Sequence, residues 1–352
     1  MKIVTVLGAR PQFIKAGPVS REIRKNHEEI IIHTGQHYDA NMSDIFFTEL
    51  NIPKPDYHLN VGSGSHGVQT ANMLIQIEEI LLKETPDYVL VYGDTNSTLA
   101  GSLAASKLHI PIVHVEAGLR SFNKKMPEEV NRILTDHVSS FLFCPSDTSV
   151  NNLKEENITK HVYNVGDVMY DAVRYNQDIA DKSTILTDIG AASKDYYLIT
   201  VHRAENTEDR ERIENILAAF SQIEGTKVWP IHPRTKNKLL SYGIDLDKIP
   251  GLKVIEPIGY LDMLCLEKNA KKILTDSGGV QKEAYFVQTP CVTLRDETEW
   301  VETLKDNANV LVGADTEKIL EAVQLTCNSD YPPIFGSGNT SEQIVKILSD
   351  NQ

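Results

Sequence analysis

The chain of 352 residues carries 49 acidic and 35 basic residues, which gives a formal net charge of −14. Such a negative balance argues against a broad nucleic-acid surface or a polybasic membrane patch, because both need a summed positive field. Hydrophobic residues make up 41% of the sequence, as in soluble globular proteins, and the length accommodates two domains of ordinary size.

No apolar run approaches membrane-spanning length, and a strand-like run begins at Lys2, so we expect no signal peptide and a cytoplasmic protein. The four cysteines are widely spaced and form no C-x-x-C pair. We therefore interpret them as reduced packing residues rather than as metal ligands or a disulfide framework.

Short β-branched runs alternate with segments of helical periodicity along the chain, a pattern typical of βαβ units and parallel sheets. Strands are predicted at 2–7, 29–34, 88–92, 111–115, 141–144 and 162–165, and again at 196–201, 227–230, 252–255, 272–275, 291–293 and 309–312. Helices are predicted at 12–25, 41–50, 67–84, 96–107, 128–139, 147–155, 209–223, 260–269, 279–287, 315–325 and 341–350.

The restart of this pattern in the second half predicts an α/β fold of two doubly wound Rossmann-like domains that face a central cleft. We place the domains at 1–168 and 169–352, with the boundary in the polar stretch around 167–185. The last helix, about 341–352, is a candidate to pack back on the N-terminal domain. Ligands of open α/β sheets bind at the carboxyl ends of the strands, so we expect the site at the cleft.

The sequence Asp-Ser-Gly-Gly-Val-Gln-Lys-Glu at 276–283 follows a predicted strand and opens a predicted helix. Small residues there let backbone N–H groups approach an anion, and the positive end of the helix dipole faces the same point. A glycine-rich turn without a ligand is the plain alternative. Repetition favours a phosphate site, because several other strand ends in this chain carry cations, carboxylates or glycines.

After the first predicted strand comes Gly-Ala-Arg-Pro-Gln-Phe-Ile-Lys at 8–15. The dinucleotide fingerprint G-x-G-x-x-G is absent and no acidic residue closes the second strand, so we expect no nicotinamide cofactor. Arg10 and Lys15 instead place two cations at a helix start, where they cost stability unless an anion offsets them. Cations that simply face solvent are the alternative.

Three carboxylates in the first half follow a strand or open a helix: Asp94, Glu116 and Glu128. Asp94 could serve only the cap of the next helix. Glu116 could form an ion pair with Arg120, or could be a tuned acid or base. Glu128 could serve only the helix dipole, with Arg132 pairing back to it as ordinary helix support.

Two histidines with neighbouring arginines end adjacent strands in the second half, in Thr-Val-His-Arg-Ala-Glu-Asn at 200–206 and Pro-Ile-His-Pro-Arg at 230–234. These residues could hold a diphosphate or a ribose, and each could also be structural. No helical H-x-x-x-H or C-x-x-C spacing accompanies them, so we expect no metal site.

Together these motifs resemble the UDP-N-acetylglucosamine 2-epimerase family over nearly the whole chain. The matching motifs are G-A-R-P-Q-F-I-K at 8–15, T-G-Q-H at 34–37, G-D-T-N-S-T at 93–98, H-V-E-A-G-L-R-S at 114–121, P-E-E-x-N-R at 127–132, V-H-R-x-E-N at 201–206 and D-S-G-G-x-Q-K-E at 276–283. The resemblance implies a two-domain glycosyltransferase-B-like fold. Thr95 after Gly-Asp favours the non-hydrolysing branch of the family.

The resemblance also implies roles for the matching residues. The diphosphate of UDP would be held by Ser277, Gly278 and Gly279, the ribose by Glu283, and the phosphates by Arg10 and His202. The catalytic set would be Asp94, Glu116, Glu128, Lys15 and His202. Further substrate-binding residues would be Arg120, Arg132, Arg203, Asn206 and His232. We expect Glu129 to point away from the sugar, because one step along a helix turns the side chain by about 100°.

The implied reaction explains why carboxylates and cations occur together. C2 of a 2-acetamido sugar carries no acidic proton, so the bond from C1 to the UDP oxygen has to break before or with deprotonation. Elimination then gives a 2-acetamidoglucal and UDP, and protonation on the other face of C2 followed by re-addition of UDP gives the epimer. Such a reaction needs neither metal nor cofactor, and the expected conversion is UDP-N-acetylglucosamine to UDP-N-acetylmannosamine.

Two alternatives stay open. The segments 41–44 and 120–123 look like branches that act on modified sugars such as UDP-2,3-diacetamido-2,3-dideoxyglucuronate. A glycosyltransferase of the same fold would keep the UDP-binding half without needing three carboxylates. We expect a homodimer in either case.

Overall fold

The computed structural model describes residues 1–35, 52–327 and 331–351, and it divides the chain into two compact units. Unit 1 comprises Met1–Tyr175 and Pro333–Gln352, and unit 2 comprises Asn176–Pro332. The boundary after Tyr175 falls inside a helix that begins in the polar stretch 167–185. The last helix of the chain belongs to unit 1.

Unit 1 contains a seven-stranded parallel sheet of order β3-β2-β1-β4-β5-β6-β7. Its strands are β1 (Lys2–Leu7), β2 (Glu28–His33), β3 (Tyr57–His58), β4 (Tyr88–Tyr92), β5 (Ile112–Val115), β6 (Phe141–Cys144) and β7 (Val162–Asn164). Its helices are α1 (Arg10–Ile23), α2 (His66–Glu84), α3 (Asn96–Lys107), α4 (Pro127–Val138), α5 (Asp147–Glu155), the start of α6 (Val168–Ala180) and α14 (Thr340–Asp350). The central strands are buried on both faces, so their sequences are continuous apolar runs.

Unit 2 contains a six-stranded parallel sheet of order β10-β9-β8-β11-β12-β13. Its strands are β8 (Tyr196–Thr200), β9 (Thr226–Pro230), β10 (Leu252–Ile255), β11 (Lys272–Thr275), β12 (Cys291–Thr293) and β13 (Asn309–Leu311). Beyond the end of α6, its α-helices are α7 (Ile185–Asp188), α8 (Ala204–Thr207), α9 (Arg210–Gln222), α10 (Pro233–Ser241), α11 (Tyr260–Asn269), α12 (Gly278–Phe286) and α13 (Thr316–Gln324).

All the strands predicted from sequence are confirmed to within one residue at either end, and so is the α/β class with two doubly wound parallel sheets. The sequence prediction missed the two-residue strand β3 and the helices α6, α7, α8 and α10. Interpreting 167–185 as a polar stretch was wrong for α6, whose buried residues recur with helical spacing at 168, 169, 172, 173 and 176. The helix predicted at 41–50 lies outside the described residues.

The strand order of each sheet reverses at one place, between β1 and β4 in unit 1 and between β8 and β11 in unit 2. The loops that follow the two strands at such a reversal diverge, and this is where open α/β sheets bind ligands. The motifs at 8–15 and 93–98 flank the reversal of unit 1, and those at 201–206 and 276–283 flank the reversal of unit 2. Among the described residues, no helix has the length and hydropathy needed to cross a membrane.

Candidate active site

At the reversal point of unit 1 the two diverging loops are joined by the buried side chain of Gln12. Its Oε1 accepts hydrogen bonds from the backbone N–H of Gly8 at 2.8 Å and Ala9 at 3.0 Å. Its Nε2 donates to the carbonyl of Tyr92 at 2.9 Å and to Oγ1 of Thr98 at 3.0 Å. Gln12 therefore fixes the loop after β1 against the loop after β4. Sequence reasoning assigned no role to it, although it stands inside a quoted motif.

Lys15 and Glu116 form a nearly buried ion pair at this edge. The Lys15 Nζ lies 2.7 Å from each carboxylate oxygen of Glu116. Glu116 adopts a left-handed backbone conformation, with φ of 71°, which is uncommon for a residue with a side chain. Gly93 packs over the pair, since a Cβ built there would lie 3.2 Å from Nζ. The structure thus brings two predicted catalytic residues together, beside the loop that carries a third.

The carboxylate of Asp94 is held by Arg132. Nε and Nη2 of Arg132 donate to Oδ2 of Asp94 at 3.0 and 2.7 Å, while its Nη1 donates to Glu129 at 2.8 Å. The Asp94 side chain is 24% exposed, and its Oδ1 accepts no hydrogen bond from a described residue. The alternative in which Arg132 pairs back to Glu128 does not hold, because its guanidinium points to Asp94 and Glu129 instead.

The two acidic residues that begin α4 have opposite environments. Glu128 is exposed, whereas Glu129 is only 1% exposed and accepts hydrogen bonds from the backbone N–H groups of Ser121 and Phe122, both at 2.9 Å. Burial raises the pKa of Glu129, but the hydrogen bonds from Ser121, Arg132 and Phe122 outweigh it, so the net shift is downward. Glu129 is therefore a structural carboxylate that anchors the loop before α4, a role the sequence prediction did not give it.

Arg120 does not face a ligand site. Its side chain is 1% exposed, and its donors bond to Glu156 at 2.6 and 2.7 Å and to Asp136 at 2.7 Å. A further hydrogen bond goes to its neighbour's carbonyl, that of Leu119. We therefore withdraw the expectation that Arg120 binds substrate. It is fully used in a buried ion network, and the sequence could not show which acids the fold would bring to it.

In unit 2 the buried carboxylate of Asp276 connects the two loops at the reversal point. It accepts hydrogen bonds from the backbone N–H groups of His202 at 3.1 Å and Arg203 at 3.0 Å, and from Nδ2 of Asn206 at 3.2 Å. Asn206 is fully buried and also donates to the carbonyl of Leu294. The expectation that Asn206 binds substrate is therefore replaced by a structural role, and Asp276 is a site residue that the sequence analysis passed over.

At the start of α12 the backbone lies close to neighbouring side chains. Ser277 caps the helix, with its Oγ accepting from the N–H of Val280 at 3.4 Å. A Cβ added to Gly278 would lie 2.7 Å from Oε1 of Glu299, so a larger residue there would require that side chain to shift. Glu283, one turn further along, is buried. Small residues at a helix start leave backbone N–H groups accessible to an anion, as the motif predicts.

The remaining predicted ligands of unit 2 lie near its surface. The His202 side chain is 50% exposed, with Nδ1 3.7 Å from Asp276. His232 is exposed and its Nδ1 accepts from the N–H of Arg234 at 3.2 Å, which caps α10. Arg203 stands at the start of α8 and is partly exposed. The backbone of Arg10 begins α1, but its side chain lies outside the described part of the chain. Residues 36 and 37, which complete the T-G-Q-H motif, lie outside it as well.

Two doubly wound sheets with charged and glycine-rich loops at their reversal points define a glycosyltransferase-B-like α/β protein. The family model for UDP-N-acetylglucosamine 2-epimerase matches residues 21–349. A relative named UDP-N-acetylglucosamine 2-epimerase homolog, from Methanococcus maripaludis, is 58% identical over 99% of each chain. The chain therefore belongs to the UDP-N-acetylglucosamine 2-epimerase family, and the predicted enzyme class, an isomerase, is confirmed.

Two further similarities bear on the substrate. The UDP-2,3-diacetamido-2,3-dideoxy-D-glucuronate 2-epimerase of Pseudomonas aeruginosa is 51% identical over 99% of each chain. The crystal structure of the Methanocaldococcus jannaschii UDP-GlcNAc 2-epimerase, in complex with UDP-GlcNAc and UDP, has a TM-score of 0.93 and 49% identity. That similarity covers 99% of this chain and 100% of the other.

Proposed function

We propose that this protein inverts C2 of a UDP-2-acetamido sugar, converting UDP-N-acetylglucosamine to UDP-N-acetylmannosamine without hydrolysis. The observation that carries the proposal is the set of carboxylates at the reversal point of unit 1. Asp94 keeps one oxygen without a hydrogen bond from the described residues, and Glu116 is held by Lys15. Acid–base work at C2 needs one carboxyl group that takes a proton and another that returns one, and this edge supplies carboxyl groups.

In the proposed reaction the C1–O bond breaks and the electron pair leaves with UDP. One carboxylate takes the C2 proton, and the C2–H electrons form the C1–C2 double bond of the 2-acetamidoglucal. A carboxylic acid then returns a proton to the opposite face of C2 while a UDP oxygen adds back to C1. Which of Asp94, Glu116 and Glu128 serves each face stays open.

We assign UDP to unit 2. The backbone N–H groups at the start of α12, at residues 277–279, would bind the diphosphate, with the positive end of the helix dipole behind them. His202 is half exposed on the neighbouring loop, where its imidazole is accessible to a phosphate. Asp276 supports this assignment, because its buried carboxylate accepts hydrogen bonds from the backbone N–H groups of His202 and Arg203 and so fixes that loop.

Incubation with UDP-N-acetylglucosamine in D₂O, followed by proton NMR, tests the proposal. We expect the manno epimer to form with deuterium at C2, and prolonged incubation to label both epimers. Epimer formation with the original C2 hydrogen fully retained would exclude elimination. The same experiment addresses hydrolysis, because release of free N-acetylmannosamine would contradict the non-hydrolysing assignment.

A second candidate substrate is UDP-2,3-diacetamido-2,3-dideoxyglucuronate, favoured by the similarity to the Pseudomonas aeruginosa enzyme. The two substrates differ at C3 and C6 and share the reacting C2. Comparing kcat/KM for both sugars decides between them. The glycosyltransferase alternative is not carried forward, because the isomerase class is confirmed by the family.

We also propose the predicted homodimer, and we place its interface on α2. Val68, Ile75 and Leu82 recur every seven residues along this helix and are each more than half exposed. A stripe of this kind favours association with a second copy. We expect Ile75→Glu to lower the mass measured by analytical ultracentrifugation, and Glu211→Gln, at an exposed position of α9 in unit 2, to leave it unchanged. A monomeric wild type would contradict the proposal.

A further inference from the structure

His114 is a fully buried histidine on β5. Its Nδ1 lies 2.7 Å from Oδ1 of Asp136 on α4, and its Nε2 lies 2.8 Å from the carbonyl oxygen of Gly93. A carboxylate and a carbonyl oxygen can only accept hydrogen bonds. To donate a hydrogen bond to the Gly93 carbonyl, the ring must carry a proton on Nε2.

The partner carboxylate is itself fixed. Asp136 is almost completely buried and accepts a hydrogen bond from Arg120 at 2.7 Å and from the N–H of Gly118 at 3.2 Å. Arg120 is in turn held by Glu156. A chain of charge-assisted hydrogen bonds therefore runs from Glu156 to the Gly93 carbonyl, and charge-assisted bonds are the strong and geometrically specific ones.

Gly93 is the residue at which this chain meets the candidate active site. Its carbonyl takes the hydrogen bond of His114, and its Cα faces the pair of Lys15 and Glu116, with a built Cβ 3.2 Å from Nζ and 3.8 Å from Oε1. The peptide that begins at its carbonyl continues into Asp94. Holding this one peptide therefore fixes Asp94 relative to Glu116.

We propose that His114 and Asp136 act as a positioning pair, which clamps the peptide between Gly93 and Asp94 so that the Asp94 carboxylate keeps its place beside the Lys15–Glu116 pair. The inference rests on the proposed function, because it takes Asp94 as a reacting group. Neither His114 nor Asp136 touches the sugar. Their effect on the reaction arises from placement, and a displacement of about 1 Å in an active site can cost roughly 10²-fold in rate.

Kinetics of His114→Asn and Asp136→Asn test the clamp against a matched control. We expect kcat for the C2 epimerisation of UDP-N-acetylglucosamine to fall by about 10- to 100-fold in both variants. The Kd of UDP, assigned to unit 2, should stay within about twofold. The control is His109→Asn, which replaces an exposed histidine in the loop between α3 and β5 and should leave kcat unchanged. Folded variants with wild-type kcat would overturn the inference.

The double variant separates a clamp from two independent packing defects. Because the two residues act on one peptide, His114→Asn combined with Asp136→Asn should lower kcat no further than either single change. Multiplying losses would overturn the pairing.

Ring ¹⁵N NMR of the histidine-labelled wild type keeps the test decisive if the variants fail to fold. The ring signals of His114 can be identified by their absence from the His114→Asn spectrum or by slow solvent exchange in the wild type, and they should show a proton on Nε2, which faces the Gly93 carbonyl. A ring without a proton on Nε2 would overturn the clamp. A wild type that shows no deuterium exchange at C2 would instead overturn the proposed function, whatever the state of the ring, so the two failures are distinguishable.

Discussion

Unit 1 and unit 2 build their reversal points with equivalent strand orders, β2-β1-β4 in one and β9-β8-β11 in the other, yet they fill them with different groups. In unit 1 the strand ends carry charged side chains held in ion pairs, such as Lys15 with Glu116. In unit 2 they present backbone N–H groups and glycines, with the buried Asp276 beneath. One topology thus carries ion-paired side chains in one unit and a glycine-rich helix start in the other, and we propose that these serve the chemistry at C2 and the binding of UDP, respectively.

If the two edges divide the work in this way, substitutions in unit 1 should affect turnover and those in unit 2 should affect UDP affinity. Measuring both kcat and the Kd of UDP for each variant tests this division. A unit 1 change that weakened UDP binding while leaving kcat intact would contradict it directly.

The largest effect is expected for Glu128→Gln. The exposed carboxylate of Glu128 should act on the sugar, so turnover should fall by about 10²–10⁴ with UDP affinity unchanged. Steady-state epimerisation followed by NMR measures this loss. The matched control is Glu211→Gln, since Glu211 is also the exposed second residue of a helix and gains the same interaction with the dipole. Equal activity of both variants would leave Glu128 with only that dipole role.

Glu129→Gln, in contrast, should destabilise the protein. Glu129 accepts from two backbone N–H groups and from Arg132, so removing its charge should lower the melting temperature. For this reason it is not a silent control for Glu128.

The next effect is a pH dependence of folding stability that arises from a buried histidine in unit 1. Burial and the nearby charge of His58 lower the pKa of His33, in unit 1, to about 4. The unfolded chain therefore binds a proton that the folded one does not between pH 6.5 and pH 4, and stability falls as pH decreases through this window. The loss is about 1.4 kcal/mol per pH unit, or roughly 3 kcal/mol in all. Both histidines of unit 2, His202 and His232, are exposed.

Urea unfolding at pH 4–7 measures this contribution of His33 to the free energy of unfolding. We expect His33→Asn, which cannot titrate, to flatten the pH dependence relative to wild type, even where it lowers stability overall. Identical slopes for the two proteins would assign the acid sensitivity to other groups.

For unit 2 we expect His202→Ala to weaken UDP binding by about one to two decades at unchanged melting temperature. A charge-assisted hydrogen bond to phosphate contributes roughly 1.5–3 kcal/mol, and 1.4 kcal/mol corresponds to one decade. Calorimetric titration with UDP measures the change, with His137→Ala in unit 1 as the control. Wild-type affinity in His202→Ala would place the phosphates elsewhere.

The smallest expected effect is that of Gly278→Ala. The added Cβ would come within 2.7 Å of Glu299, so we expect a loss of about 1–3 kcal/mol in stability together with weaker UDP binding. Thermal unfolding and UDP titration measure both. Gly64→Ala is the control, because its Cβ would meet nothing within 4 Å. An unchanged Gly278→Ala variant would mean that Glu299 moves aside.

The strands were predictable because buried parallel strands are short apolar runs bounded by polar loops, and the strand ends showed which loops matter. The direction of side chains at those ends was not predictable. Arg120 and Asn206 follow strands as a ligand-binding residue would, but the fold turns both inward, to Asp136 and Asp276. Those partners are 16 and 70 residues away in sequence, and only the tertiary structure brings them close.

The same limit explains why the structural role of Glu129, at the start of α4, was not predicted. A step of about 100° correctly separates Glu128 from Glu129, but it does not say which of them faces inward. The inward residue is decided by Ser121, whose backbone N–H lies before the helix and needs an acceptor. Gln12 went unassigned for a related reason, since its four hydrogen-bond partners come from two separate loops.

The return of the chain to unit 1 has a consequence for biosynthesis. Helix α14 packs against α1, and its first N–H groups, those of Thr340 and Ser341, are capped by Asp171 at 3.1 and 2.7 Å. Unit 2 is a contiguous segment, whereas unit 1 lacks this helix until the residues after unit 2 have been synthesised. The first part of unit 1 is therefore translated before unit 2 but completed after it, and α1 stays uncovered by α14 throughout the synthesis of unit 2. Deleting residues 333–352 would accordingly damage the unit that is formed mainly by residues 1–175.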